Sequence, residues 1–168
     1  MKELLVLASL TSLFGSLFGV DWEAVDRLIA SRFPAVESLT VAELYRRHQQ
    51  GGNLPPIIDV RADEEFQVSH LVNAFHLESA EQIAARFPDL EAELILYCSV
   101  GYRSAAVADA LRELGYTRIV NLRHSLFEWA NQGLPLVNAQ GPTPMAHPFN
   151  RRWGKLLRPE LHATRPAS

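Results

Sequence analysis

The run Glu93-Leu94-Ile95-Leu96-Tyr97-Cys98-Ser99-Val100-Gly101-Tyr102-Arg103-Ser104 decides the reading of this chain. Its first five residues form a short apolar stretch of strand type. Beyond it, Val107, Ala110, Leu111 and Leu114 recur at helical spacing, and Gly115 supplies a stop. A buried strand thus turns into a helix at the only cysteine of 168 residues. A thiol at such a junction faces the free N–H groups and the positive end of the helix macrodipole, which favours a thiolate and binds anions. Gly101 lets the loop curl without steric penalty, and Arg103 adds a fixed positive charge. A lone cysteine at a strand end is more often a small buried hydrophobe than a nucleophile. The glycine, the arginine and the helix start beside Cys98 turn the balance toward a reactive thiol.

Strands and helices alternate on either side of this run. Upstream, Thr40 caps a helix over residues 41–49 that Gly51-Gly52 ends. After Pro55-Pro56 come a short buried strand, Ile57-Ile58-Asp59-Val60, a helical turn at 63–67, and an extended segment at 74–77. Ser79 with Gln82 reads as a capping box for a helix to residue 86. Downstream lie a strand at 118–122 and a helix at 125–131. This alternation predicts an α/β fold, a parallel sheet covered by helices on both faces. Catalytic loops then belong at the carboxyl ends of the strands, where Cys98 lies. Four regions result: a hydrophobic segment (1–20), a helical linker (21–35) that Pro34 ends, the compact domain (36–137), and a Pro/Gly-rich basic tail (138–168). The tail reads as a linker to a short docking segment around Trp153.

Composition excludes several classes. One cysteine rules out an internal disulfide framework and an intramolecular resolving thiol. The six histidines show no metal-ligand spacing, so no metal is expected, and no cofactor motif is present. A net charge of −3 gives no reason to expect nucleic-acid binding. The tail carries five Lys or Arg against Glu160 alone, a basic segment that can fold back onto an acidic body. Residues 4–20 carry no charge, and as a helix would span about 25 Å, the lower limit for a bilayer. The signal-peptide reading is poor, because Glu3 cancels Lys2 and no small-x-small site stands out. A membrane anchor and a soluble packing helix both remain open. Membrane association is favoured over a cytoplasmic location by a small margin.

These residues resemble a family. Ile58-Asp59-Val60-Arg61, then Glu64-Glu65-Phe66, then His70-Leu71-Val72-Asn73-Ala74 is similar to the first signature of rhodanese domains. The loop from Cys98 to Ser104 resembles the rhodanese active-site loop, and Phe127-Glu128-Trp129-Ala130 the family's last helix. The resemblance implies a five-stranded parallel sheet and sulfur transfer through a persulfide on Cys98. The donor would be thiosulfate or a thiol persulfide, and the acceptor a thiol, cyanide or a protein. Ser99, Val100, Gly101, Tyr102, Arg103 and Ser104 would form the persulfide-binding loop, with Asp59, Arg61, Glu65 and His70 in support. Four residues separate Cys98 from Arg103; phosphatases of similar loop design have one more, so the shorter cradle speaks for sulfur over phosphate. Arg103 can pair with a carboxylate such as Glu65. Asp59 and Arg61 read more readily as a salt bridge at a strand end than as catalysts, and His70 as a backbone partner at the turn. Three departures stand out: Asn73 in place of glycine, Arg123-His124 in place of a small turn, and a loop with little extra positive charge for thiosulfate. The alternative function is a membrane-tethered redox- or persulfide-sensing or binding module with little turnover.

Overall fold

The apolar runs at Ile57–Asp59 and Leu94–Tyr97 are buried along their whole length, as strands of a parallel sheet covered on both faces must be. A computed structural model describes residues 19–51 and 53–166. In chain order the elements are α1 (Trp22–Arg32), β1 (Glu37–Leu39), α2 (Val41–Gln49), β2 (Ile57–Asp59), α3 (Asp63–Val68), β3 (His70–Leu71), β4 (Phe75–His76), α4 (Ala80–Arg86), β5 (Leu94–Tyr97), α5 (Tyr102–Glu113), β6 (Ile119–Leu122), α6 (Ser125–Asn131), β7 (Leu136–Asn138) and β8 (Gly141–Pro142). Two short 3-10 turns follow, Trp153–Leu156 and Pro159–Leu161.

The main sheet has five strands in the order β1-β6-β5-β2-β4, all parallel. The chain after β5 thus leaves the centre of the sheet, with the ends of β2 and β6 on either side. Two hydrophobic clusters fill the opposite faces, one including Leu44, Tyr97, Leu126 and Phe127, the other Ile58, Ile83, Leu96 and Leu111. Local signals set the helix starts. Thr40 and Glu43 form a reciprocal capping box at α2. At α4 the Ser79 hydroxyl accepts from Gln82 N–H, while the Gln82 side chain accepts from Glu78 N–H, one residue before the position a capping box requires.

Two expectations change. The helix read as a linker packs onto the domain as α1: Val25 is buried, Asp21 caps it, and Asp26 pairs with Arg123 and His124. The tail is not a linker either. Gly141 and Pro142 pair antiparallel with Asn138 and Val137, Ala146 and Leu157 are buried in the same cluster as α6, and the segment around Trp153 packs against that cluster as expected. The prolines punctuate a chain whose apolar residues still have a surface to cover. Asn131 fastens the segment by donating to Leu156 O and accepting from Arg158 N–H.

Among the described residues no helix is long and apolar enough to cross a membrane. The segment expected to associate with one lies outside the described residues, save Gly19 and Val20.

Candidate active site

The backbone of the Cys98 loop is pinned from outside. Cys98 N–H donates to Ser125 Oγ at 3.2 Å, and that hydroxyl donates to Leu122 O at 2.8 Å. At the start of α6, Leu126 N–H donates to Cys98 O at 3.1 Å and Phe127 N–H to Ser99 O at 3.0 Å. Asn121, at the end of β6, donates from Nδ2 to Gly101 O at 3.0 Å and accepts from Ser104 Oγ at 2.7 Å. Three loop carbonyls are therefore engaged by β6 and α6. Gly101 has φ +101, a left-handed conformation that favours glycine, and its N–H points back at Cys98 Sγ, 3.2 Å away. α5 begins at Tyr102, so the N–H groups of its first turn have no acceptor within the helix. A loop with occupied carbonyls, an N–H on sulfur and a helix start is arranged to receive an anion.

Glu65 organises the charge around this loop. Arg103 donates to both Glu65 oxygens at 2.7 Å, and its Nη2 also donates to Ser99 Oγ at 2.9 Å. Ser99 Oγ in turn donates to Glu65 Oε1 at 2.9 Å. Burial alone would raise the Glu65 carboxyl, but the Arg103 hydrogen bonds and charge, helped by Arg61, hold it below its ordinary value. For Arg103, burial works against the charged form, and the hydrogen bonds and charge of Glu65 outweigh it, so the guanidinium stays protonated.

Asp59 and Arg61 form the other ion pair, with Arg61 Nη2 2.7 Å from Asp59 Oδ2 and both side chains wholly buried. Burial opposes the charge on Arg61; Asp59 more than restores it. Arg61 also donates to Ser69 O at 2.6 Å, so this pair clamps the end of β2 to the turn after α3. Its Nη1 has no protein partner, nor has the nearby buried Ser69 Oγ. His70 Nδ1 lies 3.1 Å from Phe66 O, a backbone contact at the turn. Among the expected loop residues, Val100 is buried in the core and Tyr102 packs its ring against Phe33 at 5.4 Å. Ser104 differs from its expected place in a persulfide cradle: its hydroxyl faces inward to Asn121. Among the described residues no cluster of side chains could hold a metal.

Several residues of the site carried no signal of their own. Asn121 and Ser125 support the loop, the buried Tyr97 hydroxyl accepts from Leu71 N–H at 3.1 Å, and nothing in the sequence separates them from ordinary strand-end residues. Arg123-His124, flagged as an unusual turn, is explained by α1. His124 sits at φ +61 and Ser125 at φ +50. The His124 ring stacks on Trp22 at 4.3 Å, and its Nε2 is 3.0 Å from Asp26 Oδ1. The bulk at this turn is a dock for α1. Asn73 adopts a left-handed conformation, φ +61, which asparagine tolerates nearly as well as the glycine it replaces.

This geometry agrees with what the chain is similar to. Residues 40–132 match the rhodanese-like domain family. A sulfurtransferase of Allochromatium vinosum is 30% identical over 87 residues, 51% of this chain and 80% of that protein. Thiosulfate sulfurtransferase GlpE of Actinobacillus succinogenes is 32% identical over 92 residues, 53% of this chain and 81% of its own length. The solution structure of a rhodanese-like domain from Anabaena superposes with a TM-score of 0.56 at 19% identity, covering 66% of this chain and 86% of that one, a likeness of fold. The chain belongs to the rhodanese-like domain family. Within it, the chain falls among the sulfurtransferases.

Proposed function

We propose that this protein moves sulfane sulfur from thiosulfate or a thiol persulfide to a thiol or cyanide acceptor, through a persulfide on Cys98. The observation that carries the reading is the pinned loop around Sγ, with its carbonyls engaged and the Gly101 N–H on the sulfur. In the first step the Cys98 thiolate attacks the outer sulfur of the donor. A new S–S bond forms as the donor's own bond to that sulfur breaks, and the carrier leaves with the electron pair, as sulfite from thiosulfate or as a thiolate from a persulfide. In the second step the acceptor attacks the outer sulfur and Cys98 departs as thiolate. No net oxidation occurs. The persulfide anion between the steps is stabilised by fixed N–H donors and by Arg103, which need not reorganise when the charge moves.

The small loop supports sulfur over phosphate. Four residues separate Cys98 from Arg103, and Glu65 holds Arg103 by both its oxygens. The bridge through Ser99 Oγ ties the arginine to the loop, which keeps the cradle tight.

The test is thiocyanate formation from cyanide with each donor, by the wild type and by Cys98→Ser. The wild type is expected to turn over with at least one donor, and Cys98→Ser to be inert while folding normally, since the hydroxyl is far less nucleophilic. Residual transfer by Cys98→Ser would move the nucleophile elsewhere. Sulfur loading on Cys98 without turnover would favour the sensing module. Appreciable phosphatase activity would leave only the fold.

A further inference from the structure

One aromatic ring of the C-terminal segment reaches the proposed donor site. The Phe149 ring lies over the Arg103 guanidinium, 4.4 Å from Cζ to ring centroid, a cation–π contact. Its backbone is left-handed, φ +62, a conformation that bulky residues rarely take and that persists only where the surroundings impose it. The surroundings here are well fastened. Ala146 is fully buried, donating to Leu161 O at 2.8 Å and accepting from Ala163 N–H at 3.0 Å. Pro148 lies so close to Gly154 that a Cβ there would come within 3.1 Å of it. Phe149 N–H donates to His147 Nδ1 at 3.0 Å and Asn150 N–H to Pro148 O at 2.8 Å.

The ring changes what a donor meets. Arg103 already gives three N–H groups to Glu65 and Ser99, and Phe149 covers the face of the guanidinium. The thiol itself has no exposed surface. His147, next to the ring, adds no cation at neutral pH, because burial lowers its pKa and its Nδ1 accepts a hydrogen bond. Phe149 is nevertheless 40% exposed, so its free side is an apolar surface beside Arg103. Arg151 and Lys155 line the same cavity as Phe149, charges that the anionic end of either donor can meet, so the ring is what separates the two carriers.

We propose that Phe149 is a specificity-determining residue of the donor site, favouring donors whose carrier group is apolar, such as an aromatic thiosulfonate, over the thiosulfate dianion. The inference rests on the sulfurtransferase reading above and names its substrate class. With benzenethiosulfonate, the Cys98 thiolate attacks the outer sulfur, the Sγ–S bond forms, the S–SO2 bond breaks with its electron pair, and benzenesulfinate leaves. With thiosulfate the same sulfur is transferred and sulfite leaves. The two reactions differ only in the carrier, and its intrinsic reactivity is the same in every variant, so the change in their ratio between wild type and variant isolates the contact made by the carrier.

The experiment measures kcat/KM for benzenethiosulfonate and for thiosulfate, with cyanide as acceptor, in the wild type, Phe149→Ala, Phe149→Leu and Phe149→Tyr. The wild type should prefer benzenethiosulfonate. Phe149→Ala should lower the benzenethiosulfonate-to-thiosulfate ratio about two- to tenfold, the usual range for loss of an aromatic pair, chiefly through KM. Phe149→Leu, which keeps apolar bulk should the alanine variant unfold, should lower the ratio as well, and Phe149→Tyr should retain it. A ratio unchanged in Phe149→Ala and Phe149→Leu, with normal sulfur loading of Cys98 by intact mass, overturns this inference alone. Failure of both donors to load the wild type overturns the sulfurtransferase reading and this inference with it.

Discussion

Replacing Glu65 by alanine removes the group that holds the active-site arginine, the loop serine and the start of α3 together. Its oxygens accept from Arg103 twice, from Ser99 Oγ and from Ala62 N–H, and the residue is only 2% exposed. Breaking a fully buried ion pair from one side costs about 3–5 kcal/mol, because the other charge is left without a partner. The Arg103 side chain is 32% exposed and regains part of its hydration, which places the expected loss near ~2–3 kcal/mol. For a chain of this length that is a fall of about 4–12 °C in Tm. Urea denaturation is the direct assay, with a lower midpoint at an unchanged slope. Glu65→Gln keeps one acceptor oxygen and should fall between the two. Sulfur loading of Cys98 should fall in both variants, since Arg103 and Ser99 lose their tether. A loss in Glu65→Ala below about 0.5 kcal/mol, the level of an ordinary surface substitution, would refute the idea that this carboxylate organises the site.

Acid should weaken the protein through the same residue. Because Arg103 holds the Glu65 carboxyl below its ordinary value, its contribution is complete above the unfolded value of about 4.3 and is lost as pH falls through the lower native value; a stability–pH curve of Glu65→Gln should be flatter below pH ~5. Gly101→Ala should be destabilised by about 1–2 kcal/mol from its positive φ, and should load less sulfur, since relaxing that angle turns the Gly101 N–H away from Cys98 Sγ; intact mass after donor treatment reads the loss. Asp26→Ala should loosen α1 by about 1 kcal/mol or less, because its partner Arg123 is half-exposed and the pair is screened by salt; equal loss at low and high salt in denaturation would argue that the contact is not ionic.

The sheet and the thiol were legible because their signals are local. The apolar run before Cys98, the helical spacing after it and the capping residues Thr40 and Ser79 are set by neighbours in sequence. The Asp59–Arg61 clamp was legible for the same reason, two residues apart on a strand end. Asn121 and Ser125 were not, because their roles exist only once β6 lies beside β5 and α6 starts against the loop. The two ends of the chain misled for a related reason. A helix with only Val25 fully buried reads as a linker, and a segment rich in proline reads as a tether, until Asp26 finds Arg123 and His124 and Ala146 finds Leu161. Phe149 is the sharpest case: its position over Arg103 depends on an unusual backbone angle and on contacts with residues on both sides of it.

The most direct measurement of the central claim is the intact mass of the protein after incubation with thiosulfate and, separately, with a small thiol persulfide. The account predicts a gain of one sulfur atom, about 32 Da, on the wild type, mapped to Cys98, absent from Cys98→Ser and removed by cyanide with release of thiocyanate. An unchanged mass with every donor, or a sulfur that also appears on Cys98→Ser, would contradict it.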